Sequence, residues 1–556
     1  MNRRLTAAVM GVAALALVAG CTSGGGTSGA TTNGAAAGTQ TLTIGMPNGT
    51  QTNNSNPFLS TSSGRSLGYS WAIYEPLAQV NDTRPTSPAV PWLAKSWTWN
   101  ADFTELTIVA RSGVKWSDGT PFTADDIAYS LQLRKDHAAL NAEGLPYGNI
   151  SVTGDTVTVD FTSGQFINQL KVLQLFIVPK HIWEKIADPT TDLNQHPIGT
   201  GPYTLTTWTA QSVTLDANPT YWGGKLAVPQ LRYTSYSGND TLTTALATGE
   251  VQWAWTFIAD YKKVYVDKDP AHNAYFFPAG LAIDQLVLNS SKAPFNDVAV
   301  RKALNMVVDR TKASTIAESG IFPAITNVTG IPQPAGDSFI VDAYKNKTFS
   351  VDVAGAKKVL TDAGYTYKGD TLIGKDGNPV TFTLQDPAGW NDYITSLQLI
   401  ADAAKSIGMT ATVQTPNVNT WTTNLATGSF DAAEHWTNFG VTPWEPYADM
   451  FDPAYYVPIG QNASWNYGRY QNADAAAAFK AYTDATDDAG RATALAKLEQ
   501  IFVEDVPAIA IDARPAGGEF STKYYTGWPS DKDAYADPEP TRANAAYILT
   551  KLKPAS

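Results

Sequence analysis

The chain has 556 residues, 43% hydrophobic and 16% charged, which is enough apolar material for several buried cores and too little charge for a disordered polymer. Its 39 Lys and Arg stand against 51 Asp and Glu, and the resulting net charge of −12 excludes nucleic acid as a general partner, since phosphate-backbone binding rests on basic patches. The single cysteine, Cys21, excludes a disulfide framework or a multi-cysteine metal site, and His137, His181, His196, His272 and His435 lack ligand-type spacing, so no metal and no cofactor is expected.

In chain order, Asn2-Arg3-Arg4 precedes an apolar run from Leu5 to Val18, a charged segment followed by a hydrophobic one of signal-peptide length. Residues 1–20 are therefore expected to direct export. The run closes on Val18-Ala19-Gly20-Cys21, which resembles a bacterial lipobox, in which the thiol receives a diacylglycerol group and becomes the new amino terminus. Residues 21–40 carry no charge and are rich in Gly, Ser, Thr and Ala, the composition of a flexible tether. No later run approaches the ~20 apolar residues of a membrane span, so contact with the membrane is expected through the lipid on Cys21 alone, with the folded part outside the cell.

From residue 41 onward strand and helix patterns mix. Thr41–Met46, Leu106–Arg111, Val152–Phe161 and Thr410–Gln414 alternate as strands, and Thr123–Leu133 has helical spacing after a threonine cap. Leu304–Ala317, Ala354–Ala363 and Tyr393–Ile407 read as helices, the last two stopped by Gly364 and Gly408. This is an α/β chain long enough for about three units after the tether, without an internal repeat.

Tryptophan is abundant, with 16 in the chain beside 25 Tyr and 20 Phe. Between Trp421 and Tyr470 the rings crowd together among prolines without helix or strand periodicity, which places many of them on loops. Flat rings suit the apolar C–H face of a pyranose, whose hydroxyls need planar polar partners; Asn438, Asn466 and Arg469 sit among the rings.

Several stretches together resemble the extracytoplasmic solute-binding proteins, family 5, of the ABC importers for peptides, nickel and oligosaccharides. They are Asn56-Pro57-Phe58, Tyr74-Glu75-Pro76-Leu77, Pro91-Trp92-Leu93-Ala94-Lys95-Ser96-Trp97, the diagnostic run from Val114 to Asp126, Gly199-Thr200-Gly201-Pro202-Tyr203, Asn218 to Gly224, and Pro294 to Asn305 closed by Asp309-Arg310. The resemblance implies a two-lobed periplasmic-binding-protein fold, α/β, with an extra α+β subdomain on the first lobe. The expected order is lobe I over 41–75, the inserted subdomain over 76–225, lobe I again over 226–292, lobe II over 293–514 and the C-terminal part of lobe I over 515–556. Solute lies between the lobes, hinge closure buries it, and ABC permease subunits receive the closed form of what is expected to be a monomer. The motifs also have readings without ligand: Ser117 to Pro121 is turn chemistry, Thr123 with Asp125-Asp126 caps a helix, and Arg301-Lys302 with Asp309-Arg310 fits a solvent-facing helix side.

Peptide binders of this family hold the peptide amino group with a carboxylate shortly after a tryptophan in the second lobe. Here the residues just after Trp436 are neutral, although Glu445 and Asp449 are close enough in sequence to substitute. Gly238-Asn239-Asp240-Thr241, Gly249 to Trp255 and Gly389-Trp390-Asn391-Asp392-Tyr393 look like the oligosaccharide-binding branch, with Gln252 where that branch has an acid. The expected solute is a short oligosaccharide held by Asn239, Asp240, Trp255, Trp390, Trp436, Asn438, Trp444, Trp465, Tyr467 and Arg469; a di- or oligopeptide is the alternative. Asn391-Asp392 fits a helix cap equally well. An exported glycoside hydrolase would need two acids ~5–9.5 Å apart across the bond to be cut, a separation that no sequence displays, and no catalysis is expected.

Overall fold

The computed structural model describes residues 40–59, 61–84 and 87–555. The expected signal segment 1–20, Cys21 and the tether up to residue 39 lie outside them. Strand β1 (Leu42–Met46) is buried along its whole length, as a central strand covered on both faces must be. The chain then enters an antiparallel subdomain of β2 (Ala94–Trp99), β3 (Glu105–Ala110), α1 (Ala124–Asp136), β4 (Tyr147–Thr153) and β5 (Thr156–Phe161), in sheet order β2-β3-β5-β4. Leu106, Ile108, Val157 and Val159 pack there beneath Ile127 and Leu131 of α1. The strand expected over Val152–Phe161 is in fact parts of two, split at Gly154, whose φ of 64° makes the hairpin turn.

Next come β6 (Tyr203–Trp208), β7 (Ser212–Ala217), β8 (Gln230–Ser235), α2 (Asn239–Thr248), β9 (Trp253–Ala254) and β10 (Asn273–Phe276). β6 and β7 form a meander with β8, and β8 pairs in parallel with β1. The expected end of the subdomain at residue 225 is thus too late, because this hairpin extends the sheet of the first lobe.

The second lobe comprises β11 (Ala279–Leu288), α3 (Val298–Val307), α4 (Val353–Asp362), β12 (Thr381–Gln385), α5 (Asn391–Ser406), β13 (Thr410–Gln414), α6 (Val418–Thr427), β14 (Ala432–Trp436), α7 (Trp444–Phe451), α8 (Ala473–Asp484), α9 (Asp488–Asp505) and β15 (Ala508–Pro515). Its sheet runs β13-β12-β14-β11-β15, so the lobe starts at β11, ahead of the expected residue 293. Leu286, Leu384 and Ile509 of this sheet share a core with α3, α4 and α5. β16 (Gly518–Ser521) returns to the first lobe, whose seven-stranded sheet runs β10-β16-β9-β1-β8-β7-β6.

The long helix expected over Leu304–Ala317 stops at Val307, and the side chain of Asp309 caps a new turn by accepting from the Lys312 N–H. Arg301 and Arg310 are buried rather than on a solvent face. Arg301 donates to the carbonyls of Phe295, Asp505 and Val506, closing the C-terminus of α9, and Arg310 donates to the Ala510 carbonyl with its guanidinium 3.4 Å from the Phe349 ring centre.

The chain crosses between lobes twice, from β10 to β11 and from β15 to β16. The two crossings touch: the Ala516 N–H donates to the Pro278 carbonyl at 3.0 Å, and a Cβ on Gly517 would overlap the ring of Phe277. Far from the crossings, one carboxylate joins the subdomain to the first lobe. Glu75 is fully buried and accepts from Trp92 Nε1 (2.6 Å), Tyr221 OH (2.7 Å) and Trp222 Nε1 (2.8 Å). Three of the motifs that are distant in sequence meet at this one side chain.

Removing that acceptor leaves three aromatic donors buried without a partner, so Glu75→Ala is expected to cost about 3 kcal/mol or more in urea unfolding. Burial pushes Glu75 up to about 7 against the pull of its donors, raises Glu499 to about 7, and raises Glu519 to about 8. A carboxyl whose pKa is higher folded than unfolded contributes stability in acid and loses it as pH climbs through the folded value. Asp297 and Asp431, held low by Lys375 and Lys292 although burial opposes it, lose theirs only in stronger acid. Thermal unfolding should therefore give its highest midpoint near pH ~5 and a falling one toward pH ~8; a midpoint that rises over that range would contradict this account.

Candidate functional site

Where the lobes meet, the crossing strand β15 presents Arg514. Its guanidinium lies over the indoles of Trp255, which follows β9 in the first lobe, at 5.3 Å, and Trp436, which ends β14 in the second, at 5.0 Å. Nε of Arg514 is 3.8 Å from Asp284 Oδ1 and its Nη2 is 3.9 Å from Glu539 Oε1. Burial works against its charge, but Glu539, Tyr393 and Asp284 outweigh this and hold the group above its ordinary pKa.

The C-terminal ends of β12 and β14 approach this point, as do the start of α5 and the paired strands β11 and β15. Register puts Leu286 opposite Glu434, and Asp284 opposite both Trp436 and Asp512, so these acids share one face of the sheet. Tyr393 donates to Asp284 Oδ1 at 2.8 Å. Burial, reinforced by the negative field of neighbouring acids, raises Glu318, Asp386, Glu434 and Asp512 well above the carboxylate range. Burial also raises Asp392, to about 6.

The lobes are clasped beside these acids. Asn239 Nδ2 donates to Asp392 Oδ1 (3.0 Å), Asn391 Nδ2 donates to Asp240 Oδ1 (2.9 Å), and the Asn239 N–H donates to the Gly389 carbonyl (3.0 Å). Side chains on either glycine would obstruct the approach, since a Cβ on Gly238 would stand 2.8 Å from the Gly389 oxygen. Toward the subdomain, Lys171 pairs with Glu445, Arg542 pairs with Asp82, and the Arg542 guanidinium covers the ring of Phe439 at 4.4 Å.

The expected ligand residues divide among these surroundings. Asn239 and Asp240 are engaged in the clasp, and Trp390 joins them by donating from Nε1 to the Pro47 carbonyl of the first lobe at 3.4 Å. Asn391-Asp392 opens α5 but does not cap it, since the N-cap position is Trp390 without a side-chain cap bond; the two side chains bond Asp240 and Asn239 across the cleft instead. Trp255 and Trp436 do stand at the lobe junction. Each also has a ring stacked against it, Phe322 on Trp255 at 5.9 Å and His435 on Trp436 at 4.2 Å between ring centres, with Arg514 against both indoles. Asn438 is partly exposed just beyond Trp436, its N–H bound to Asp449 Oδ2 at 2.6 Å.

Two expected contacts, Trp444 and Arg469, are internal. Trp444 is core, at the start of α7 against Phe479 and Tyr482 of α8. Trp465 and Tyr467 are half-buried and pack on His435, which in turn stacks on Trp436. Arg469 is buried and donates to the carbonyls of Ala426, Gln461 and Tyr467, closing the C-terminal turn of α6. Asn466 is likewise internal, donating to the Asp452 and Tyr470 carbonyls. His435 is pushed down to about 4, chiefly by burial, and is neutral. Among the described residues no group of three or more His, Cys, Asp or Glu is placed to hold a metal ion. Glu445 is neutralised by Lys171 and Asp449 is taken up by Asn438, so neither stands free as an amine anchor. Gln252 bridges backbone, accepting from the Thr43 N–H and donating to the Gly249 carbonyl.

Reading by motif passed over Arg514 and the acids around it. A signal was present: Ile509-Ala510-Ile511-Asp512-Ala513-Arg514 sets two charges in an apolar strand, where an ionised group calls for a special partner.

Comparison with known proteins places this geometry. The chain is similar to protein XP55 of Streptomyces lividans, 28% identical over 292 residues, which are 51% of each chain. It is 26% identical over 377 residues to the periplasmic oligopeptide-binding protein OppA of Salmonella typhimurium, covering 62% of this chain and 65% of the relative. The chain thus spans about half to two thirds of the length of these curated relatives. The mannohexaose-bound periplasmic oligopeptide-binding protein of an oligopeptide ABC transporter from Thermotoga maritima has the same two-lobed fold, with a TM-score of 0.82, 24% identity, and coverage of 92% of this chain and 98% of that one. Residues 89–468 match the family model described as bacterial extracellular solute-binding proteins, family 5 Middle, and the chain belongs to that family.

Proposed function

We propose that this protein is the solute-capturing component of an ABC importer, and that it takes a short oligosaccharide between its lobes and delivers it to permease subunits without making or breaking a bond. The observation that carries the reading is the gathering of polar carboxyl groups beside indoles at the lobe junction. Carboxyls that can donate as well as accept stand near Trp255, Trp436 and Asn438, and a polyhydroxyl solute pairs with such groups while its C–H surface meets the indoles. The mannohexaose held by the Thermotoga maritima neighbour supports it. Closure is the delivery signal: the reciprocal bonds of Asn239 and Asn391 favour the clasped form, and a solute that touches both lobes shifts the population further toward it.

The reading includes a lipid on Cys21. No helix among the described residues is long and apolar enough to cross a membrane, and a diacylglycerol thioether on Cys21 would keep the carrier beside its permease.

Calorimetric titration of the full chain in mild detergent should show binding of di- to hexasaccharides, with Trp255→Ala weakening it about tenfold, the size of one lost aromatic contact of ~1.4 kcal/mol. Heat with tripeptides and none with any carbohydrate overturns the oligosaccharide reading. For the anchor, the wild-type chain should sediment with membranes in a bacterial host that lipidates exported proteins, and Cys21→Ala should move it to the soluble fraction. Equal sedimentation of both would remove the lipid from the account.

A further inference from the structure

After β5 the subdomain passes through two short 3-10 turns, Phe166–Asn168 and Val172–Gln174, that lie against the second lobe. The segment has two sides. Val172 and Leu173 are sunk in the subdomain core, the Gln165 N–H donates to the Phe103 carbonyl at 2.8 Å, and Asn168 Nδ2 donates to Gln165 Oε1 at 2.8 Å, so one side is fastened within the subdomain. Phe166, Ile167 and Lys171 are half-buried and reach the second lobe. Phe166 and Ile167 pack against the core of α7, α8 and α9, the Arg491 guanidinium of α9 lies 3.8 Å from the Phe166 ring centre, and Lys171 pairs with Glu445 of α7. Arg491 is itself held in place by donating to the Ala485 carbonyl at 2.7 Å and to Asp488 Oδ1 at 2.8 Å.

We propose that this segment is a latch through which the inserted subdomain takes part in solute capture: Lys171 and Phe166 hold the second lobe against the first in the closed form and let it go on opening. The inference rests on the capture of a solute between the lobes, and not on that solute being a carbohydrate. The subdomain can act on behalf of the first lobe because Glu75 ties the two together through three buried donors. Its contacts with the second lobe are of a different kind. The Lys171 side chain is 25% exposed and that of Glu445 8%, so separation returns both charges to water, and the hydration they regain offsets much of the attraction they lose. Such a contact is a catch rather than a permanent fastening. Arg491 over the half-buried Phe166 adds a second attraction that opening also exposes to water. The latch engages α7 and α9, whereas the clasp of Asn239 and Asn391 engages α5, so the two ties grip the second lobe through different helices. Together they fix the angle to which a single hinge closes, and a solute has to supply only the remaining bias toward the closed form.

The test measures lobe separation by double electron–electron resonance on the full chain, in a Cys21→Ala background with spin labels at Lys95→Cys in β2 of the subdomain and Lys480→Cys in α8, both exposed positions outside the latch. With the latch intact a short-distance population should dominate. Lys171→Met leaves Glu445 without its cation and Phe166→Ala removes the ring beneath Arg491; each is expected to enlarge the long-distance population at least about threefold. Lys171→Met combined with Glu445→Met should restore the short distances, because two apolar side chains replace the ion pair and no charge is left to desolvate. Unfolding midpoints of the single variants should stay near the parent's, since the open form hydrates the group that lost its partner. Single variants whose distances match the parent's overturn the latch, whether or not their midpoints fall, and so does a double variant that stays as open as Lys171→Met. Either result leaves solute capture standing. Conversely, the expected opening in a chain that binds neither saccharides nor peptides keeps the latch and overturns only the capture reading.

Discussion

Everything at the lobe junction depends on two strands that leave one sheet and enter another side by side. β11 and β15 pair along the second lobe, their continuations β10 and β16 pair in the first, and the passage between is so close that position 517 has no room for a side chain. A pair of connections at one edge restricts any relative motion of the lobes to a hinge about that edge, so that the same residues face one another wherever the lobes meet. Arg514 is three residues from that passage. Its guanidinium bridges an indole of each lobe, and the acids of β11, β14 and β15 inherit their position from the same pairing.

Buried charge is accommodated in two ways in this molecule. Glu75, Arg301, Arg310 and Arg469 are each surrounded by complementary donors or acceptors, several of them carbonyls at the ends of helices or strands, and they fasten elements that are remote in sequence. The acids beside Arg514 are less fully complemented: Tyr393 donates to Asp284 and Asn239 to Asp392, while both oxygens of Glu318 and Asp386 have no hydrogen-bond partner among the described residues. A carboxyl in apolar surroundings is costly unless it is paired or protonated, and burial raises the pKa of these acids accordingly. The clasp formed by Asn239, Asp240, Asn391 and Asp392 is built from neutral amides and short acids, a choice that gives directional bonds and allows release without separating full ion pairs.

Much of the architecture was legible from motifs and periodicity. The strand at residue 42, the helices beginning near 124, 353 and 391, and the stop at Gly408 follow from alternation, capping and glycine chemistry, which are local. Boundaries between lobes were less legible because strand patterns do not say which sheet a strand joins: β6 and β7 read as part of the subdomain and lie in the first lobe. The helix expected to run from 304 to 317 failed at Asp309, whose side chain offered the backbone a cap in place of another turn.

The sequence alone determined the chain's overall composition, its local elements and the motifs that mark the family, because these are properties of residue identity and short-range order. Only the tertiary structure decided which of the many tryptophans stand at the junction, that Trp444 and Arg469 are internal fastenings, and that six acids spread over more than two hundred residues share one place. The physical reason is that burial and electrostatic coupling act through space: a carboxyl in a strand is unremarkable until the register of its neighbours fixes what faces it and whether a donor is within reach.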